Sequence, residues 1–442
     1  MTMTGDDASM AVATGPGAGV GDPEATLAVQ AAARAARRAA GRLAIAPEEA
    51  IGFALRAMAD RLERGAAAIR AANEEDMRAA EADGLTGALM DRLRLDDSRL
   101  KAMSGQLLAL ADVPPEPVSR VIRELPGNLV AEERRRPVGV IGANFEARPN
   151  VVADIASQLI KSRNAGVLRT GSAALRSAIA LADEVIAPAL SDAGLDPDAI
   201  QLVRMPGQAA AYALVSEPEL IPLVILRGSG TSTRALAFEG ARHGVRTLAH
   251  ADGGAVVYVD SSAGRPLALH LIEASLDRLG VCNRLNLLLV DAPLWDGLIP
   301  EVTALLERLG LAVSLPPHEH PLGHEWALDA GHEATVTVAK VAGAAEAAAL
   351  ANDETSGLAA AIVAEDHDAV AAFLDGYAGT GAFWNATPRL LDGFKLLAVP
   401  ETGINIDKVP GPRGPVTFRD LFLRQFVVGP RAAGDRDGAE GS

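Results

Sequence analysis

A chain of 442 residues exceeds one ordinary core, so two or three domains are expected. Its apolar fraction of 49%, rich in Ala, Gly, Val and Leu, suits a soluble α/β protein. Aromatics at 3% and a net charge of −16 exclude a base-stacking platform and a phosphate-tracking surface, so no nucleic-acid partner is expected; nor is a membrane, since no run reaches the roughly twenty apolar residues that span a bilayer.

Residues 1–24, rich in Gly, Ala, Thr and Asp, read as a disordered extension rather than a signal peptide, because no basic start precedes an apolar core. Residues 24–110 carry long Ala, Leu, Arg and Glu runs with helical apolar spacing, ended by Val113-Pro114-Pro115-Glu116-Pro117. Residues 118–131 read as a hairpin around Pro126-Gly127-Asn128. Strands at 138–142, 166–168, 200–203 and 223–226 then alternate with helices at 150–163, 173–193, from 209, and at 231–242. Such alternation means a parallel sheet covered on both faces, with ligands at the carboxyl ends of its strands. A second alternation has strands at 255–259, 287–290, 335–341 and 359–363. Residues 399–428, with four prolines, read as an irregular wrap plus a last helix and strand, and residues 429–442 as a disordered tail.

Cys282 is the chain's single cysteine, expected at the end of a helix. It cannot form an internal disulfide or build a zinc site by itself, which leaves a buried small hydrophobe or a nucleophile. Gly280 before it and Asn283 after it suit a sharp turn that presents a side chain, so Cys282 reads as catalytic. One cysteine and no secretion signal place the protein in the cytoplasm. Three glycine turns follow strands of the first alternation: Gly142-Ala143-Asn144, Arg169-Thr170-Gly171-Ser172, and Arg227-Gly228-Ser229-Gly230 with Thr231 behind it. Each exposes backbone N–H groups to an anion, and together they point to a nucleotide site. The dinucleotide fingerprint GxGxxG is absent, so the cofactor is not expected on the usual first βα turn.

Several motifs carry a family resemblance. Val138-Gly139-Val140-Ile141-Gly142, then Phe145-Glu146-Ala147-Arg148-Pro149-Asn150, resembles the signature of the gamma-glutamyl phosphate reductases of the aldehyde dehydrogenase superfamily. Asp91-Arg92-Leu93-Arg94-Leu95, Lys161-Ser162, His250-Ala251-Asp252-Gly253, Val257-Tyr258-Val259-Asp260 and Gly280-Val281-Cys282-Asn283 extend it, collinearly over residues 25–428. The resemblance implies an aldehyde-dehydrogenase-like fold: a Rossmann-type NADPH-binding domain over residues 25–255, including the hairpin 118–136, and an α/β catalytic domain over 256–400. A small oligomerisation segment would follow over 401–428.

It also implies a reaction. The Cys282 thiolate would attack the acyl carbon of gamma-glutamyl phosphate and expel phosphate, NADPH would reduce the thioester, and the semialdehyde of proline biosynthesis would leave. Asn150, the Cys282 N–H, or both would stabilise the oxyanion. Arg148 would take the phosphate or a carboxylate, with Asn283 and Arg389 also on the substrate side. His250 stands where hydrolytic relatives have a glutamate base, either as a catalytic group or as a structural histidine. Arg169, Gly171, Ser172, Arg227, Gly228 and Gly230 would face the adenosine end. Ala173, where the family usually has Glu, favours NADPH over NADH, and Glu325 would approach the nicotinamide ribose. The implied partners are the acyl phosphate, further copies of the chain through the hairpin and C-terminal wrap, and functional coupling to glutamate 5-kinase.

The second half departs from the pattern. Asn286-Leu287 replaces Glu-Thr, Leu358 replaces a His after Ser356-Gly357, Thr387-Pro388-Arg389-Leu390 replaces Ser-Thr-Arg-Phe, and Pro412 stands in a run that has lost its His. The alternatives are a paralogue reducing a different acyl phosphate or thioester, and a non-catalytic assembly protein on the same scaffold.

Overall fold

The computed structural model describes residues 22–430, apart from 86, 147, 229, 251–252 and 330. The segments 1–21 and 431–442 therefore lie outside the described residues. Two expectations at the ends are corrected. The first helix, Pro23–Ala44, begins inside the expected extension because the Asp22 carboxylate caps it, accepting from Glu24 N at 3.0 Å. At the other end, regular strand continues through Pro430.

Helices Pro23–Ala44, Glu48–Arg64, Ala66–Ala82, Gly87–Leu93 and Asp97–Asp112 form the N-terminal block. Ala25, Val29, Ala33 and Ala36 make a stripe of small side chains that lies on Val140, Val167 and Val224 of the first parallel sheet. The hairpin follows as β1 (Ser119–Leu125) and β2 (Leu129–Pro137), antiparallel about Gly127 and Asn128, both left-handed at φ 79° and 58°.

The first parallel sheet contains β3 (Val140–Phe145), β4 (Ala165–Thr170), β5 (Ile200–Leu202), β6 (Leu223–Arg227) and β7 (Arg246–His250), in the order β5-β4-β3-β6-β7. Gly142-Ala143-Asn144, expected as a turn, lies within β3. A Cβ on Gly142 would sit 2.9 Å from both Ile221 and Val224, so the glycine is there for packing between strand and cover, not for an anion. The order reverses between β3 and β6, and it is outside such a switch point that open parallel sheets bind ligands.

The second parallel sheet contains β8 (Ala255–Val259), β9 (Leu285–Asp291), β10 (Ala312–Ser314), β11 (Thr335–Val341), β12 (Ala359–Val363) and β13 (Gly381–Trp384), in the order β10-β11-β9-β8-β12-β13. Beyond it, β14 (Gly403–Asn405) pairs with β15 (Gly414–Val416). The expected last helix is only the turn Phe418–Asp420. Then β16 (Phe422–Pro430) pairs antiparallel with β2 along its whole length, so the hairpin and the C-terminal wrap complete one three-stranded sheet. Among the described residues no helix is long and apolar enough to cross a membrane.

Candidate active site

Register aligns one row of strand ends at the switch point: Thr170 on β4 faces Phe145 on β3, Phe145 faces Arg227 on β6, and Arg227 faces His250 on β7. The loop leaving β3 therefore runs beside the loop leaving β6, joined by Glu146 N donating to Arg227 O at 3.2 Å. Gly228 permits that approach, since a Cβ there would lie 2.8 Å from the Glu146 carboxyl. The first loop carries Arg148 into the start of the helix Asn150–Lys161.

Cys282 comes to this row from the second sheet. The helix Arg265–Ala274 ends well before it, and a loop leads from there into β9, so the thiol is carried on a turn and not on a helix end. Gly280 is left-handed at φ 73°, a conformation glycine adopts freely. Cys282 O accepts from Gly254 N at 2.8 Å, tying the turn to the start of β8. Between them, Gly253 is closely enclosed: a Cβ on it would lie 2.6 Å from Glu325 Oε1 and 2.9 Å from Cys282 Cα. Gly253 N donates to Glu325 Oε2 at 3.1 Å, so Glu325 lies at the thiol turn. Asn286 holds the Glu325 segment from both sides, donating to His324 O at 2.8 Å and accepting from Trp326 N at 3.2 Å. The departure noted at Asn286 is thus a clamp on that segment.

The electrostatics centre on the thiol. Burial raises its pKa, and so does Glu401, while Arg148, Arg227 and Arg389 lower it. Burial also drops Arg148 to about 10, helped by repulsion from Arg227 and Arg92. Glu401 is pushed up to about 7 by burial, against the pull of Arg227, and accepts from Gly393 N at 2.6 Å. Asp154, buried one helical turn after Asn150, rises to about 6 and accepts from Asn150 Nδ2 at 3.0 Å. Burial, then Arg227 and Arg148, hold His250 down at about 3, so its imidazole is neutral. Its Nδ1 accepts from Ile404 N on β14 at 2.8 Å, which puts the ring proton on Nε2.

The remaining expected residues are placed as follows. Arg227, expected at the adenosine end, is a charge neighbour of Cys282, His250 and Asp154 instead. Arg389 is occupied by Asp277, at 2.6 Å from Nε, and by the Asn283 side chain. Asn283 Nδ2 in turn donates to Leu391 O at 2.9 Å, so this pair fixes the floor behind the thiol. Arg169 is buried at the end of β4, donating to Asn144 Oδ1 at 2.9 Å and to Gly207 O. Gly171 N returns to Phe145 O at 3.0 Å, Ser172 is exposed beyond it, and Gly230 opens the helix Gly230–His243. Ser229, Ala147, Ala251 and Asp252 lie outside the described residues. Arg92, Asp154, Asp277 and Glu401 were not foreseen as site groups. Asp154 alone had a local signal, its i+4 spacing from Asn150.

Comparison with known proteins places the chain among relatives of the same family and fold. Residues 20–319 match the aldehyde dehydrogenase family. A gamma-glutamyl phosphate reductase of Sphingopyxis alaskensis is 36% identical over 403 residues, which is 89% of this chain and 92% of that protein. The crystal structure of gamma-glutamyl phosphate reductase from Thermotoga maritima superposes with a TM-score of 0.81 at 25% identity, covering 90% of this chain and 98% of the other. An acetylating aldehyde dehydrogenase from Geobacillus thermoglucosidasius shares the fold, with a TM-score of 0.69 at 18% identity over 91% and 96% of the two chains.

Proposed function

The chain belongs to the aldehyde dehydrogenase family and is a homologue of its gamma-glutamyl phosphate reductases, and from that premise we propose that it reduces L-glutamate 5-phosphate to L-glutamate 5-semialdehyde and phosphate with NADPH, as a step of proline biosynthesis. One observation carries the choice of phosphate over water as the leaving or entering group. At position 250, where hydrolytic relatives have a carboxylate base, stands an imidazole whose Nδ1 is taken by Ile404 N–H and whose basicity burial has removed. Such a group does not activate water at neutral pH.

The residues at the first sheet's carboxyl edge fit a nicotinamide dinucleotide. Arg169 Nε and Thr170 Oγ1, at the end of β4, are buried without hydrogen-bond partners. Ala173 offers no carboxylate to a ribose hydroxyl, which supports NADPH over NADH. When bound, the reduced cofactor supplies hydride to the thioester carbon. The chain does the rest. Arg148, Arg227 and Arg389 favour the thiolate against burial, and the turn at Gly280 presents it. Asn150 keeps one amide N–H beyond its bond to Asp154, available with the Cys282 N–H to an oxyanion.

A homo-oligomer belongs to the same reading, supported by the sheet of β1, β2 and β16, where Val121, Phe426 and Val428 are each more than half exposed. So do a cytoplasmic setting and functional coupling to glutamate 5-kinase. One observation favours the paralogue reading: Leu358, Leu391 and Ile404 form an apolar cluster against Cys282, and Arg389 is already taken by Asp277.

The test is NADP⁺ reduction with glutamate 5-semialdehyde, with and without inorganic phosphate. Strictly phosphate-dependent turnover that Cys282→Ser abolishes is the expected result. Turnover independent of phosphate, or none at all by a protein that binds NADPH, would reject the assignment.

A further inference from the structure

The N-terminal helices reach the thiol. The short helix Gly87–Leu93 ends against the Cys282 loop, where Arg92 Nη2 donates to Gly280 O at 2.6 Å. Beside it, Asp91 is held from both sides, by Arg99 at 2.6 Å and by Arg278 at 3.2 Å. Arg92 is therefore positioned by its own helix and by the left-handed residue that turns the chain toward Cys282. Its Nε is buried and has no hydrogen-bond partner. The anions that act on it electrostatically are Cys282, Glu325 and Glu146, which, with its bond to Gly280 O, puts the guanidinium at the edge of the reacting region.

The other arginines here differ in what they still offer. Arg389 is engaged by Asp277 and Asn283, and Arg278 by Asp91; Arg169 also keeps an unpartnered Nε, but it lies at the end of β4, held by Asn144 and Gly207. Arg92 keeps an unused Nε beside its bond to Gly280, and Arg148 is a charge neighbour of both Arg92 and Cys282. A phosphoryl group has three oxygens that accept from planar guanidinium forks.

We propose that Arg92, together with Arg148, binds the phosphoryl group of the acyl phosphate and retains it as it leaves. This rests on the proposed function for the identity of that group. In the step served, the Cys282 thiolate sulfur forms a bond to the acyl carbon, the carbon–oxygen bond to phosphorus breaks, and the electron pair departs on the phosphate oxygen. Nothing is oxidised or reduced; the charge of the thiolate passes to the phosphate, which takes one proton from solvent to leave as the dianion. Arg92 is a binding residue here, and its bond to Gly280 O ties phosphate occupancy to the turn that carries the sulfur.

The experiment reads alkylation of Cys282 in the full-length protein, without substrate. Iodoacetate is an anionic probe, iodoacetamide a neutral one, and inorganic phosphate a protecting ligand. Wild type should show saturable phosphate protection. Arg92→Gln should weaken that protection by about ten- to a hundredfold in apparent Kd and lower the iodoacetate-to-iodoacetamide rate ratio several-fold. Its iodoacetamide rate reads the thiolate fraction and the turn together, since Arg92 is a cation coupled to the sulfur, and it is the reference for both readouts. Unchanged protection and an unchanged ratio would overturn the proposal. If Arg92→Gln also disturbs the iodoacetamide rate, Arg92→Lys decides: a normal iodoacetamide rate with weakened protection supports the proposal, and full protection rejects it. Absence of semialdehyde turnover in wild type would reject the functional reading without touching these rates.

Discussion

Gly253→Ala is the most exacting perturbation of the thiol turn. The new methyl would lie 2.9 Å from Cys282 Cα, 2.9 Å from Cys282 O and 2.6 Å from Glu325 Oε1. Carbon contacts settle near 3.5–4 Å, so the Cys282 backbone must retreat by roughly half an ångström or more. A flexible side chain could swing away, but two of the three obstacles are backbone of the residue that carries the sulfur. Overpacking of this kind costs about 1–3 kcal/mol of stability. Displacement of a nucleophile by about 1 Å costs on the order of a hundredfold in rate, so a loss of roughly ten- to a hundredfold in kcat is expected for the smaller shift. The assay compares kcat, KM for the semialdehyde and the denaturant midpoint of the variant with wild type. A kcat within twofold, with the stability loss present, would refute the claim that the Gly253 contact sets the position of the sulfur.

Two further outcomes follow from the charges. Iodoacetamide alkylation of Cys282 should keep accelerating above the ordinary thiol range. Glu401→Gln should move its pH midpoint down, because a carboxylate opposing the thiolate is gone, and Arg148→Gln should move it up; opposite shifts would reject the electrostatic assignment. His250 titrates near 6.5 when free but near 3 in the fold, so between those values the unfolded chain binds the additional proton. Its contribution to stability is full above about pH 6.5 and falls as pH drops toward 3. Urea titrations of wild type and His250→Gln from pH 4 to 7 should therefore differ in slope by about one proton, with the variant losing less stability in acid. Identical slopes would mean that His250 is not buried neutral. Asp154 and Glu401, both raised, act in the opposite direction, so the difference between the two proteins is the quantity to read.

Where burial on both faces makes a strand continuously apolar, local pattern and structure agree to the residue, as in β8 and β12. Three short strands carried no such run. In β7 only Leu248 is fully buried, β10 is three residues at a sheet edge, and β13 exposes Trp384. Gly142 misled because a glycine that makes room for Ile221 and Val224 looks, in sequence, like one that turns the chain. The site divides in the same way. The turn at Gly280-Val281-Cys282-Asn283 is legible because its conformation is local. Arg92 and Glu401 reach the thiol from opposite ends of the chain by tertiary packing, and Arg227 is a charge neighbour of Cys282 because strand order, not spacing, decides which loops meet.

The charge arrangement explains why this site suits an acyl phosphate better than a neutral aldehyde. Arg148's leading electrostatic neighbours are three guanidiniums, Arg227, Arg92 and Arg278, and a single anion, the Cys282 thiolate. Two like charges about 6 Å apart, at an effective dielectric near 20, repel by about 3 kcal/mol. Burial at Arg148 adds desolvation to that repulsion. Once the thiolate becomes a neutral thioester, its negative charge is lost and the cations need another partner. The displaced phosphate, still a dianion after taking up a proton, carries the charge those cations require. A hydrolytic site has no such requirement: its leaving groups carry no comparable charge, and a single carboxylate base suffices. Here the carboxylate nearest in effect to the sulfur, Glu401, is itself lifted to about 7 and joins burial in raising the thiol, while Arg148, Arg227 and Arg389 offset part of that rise.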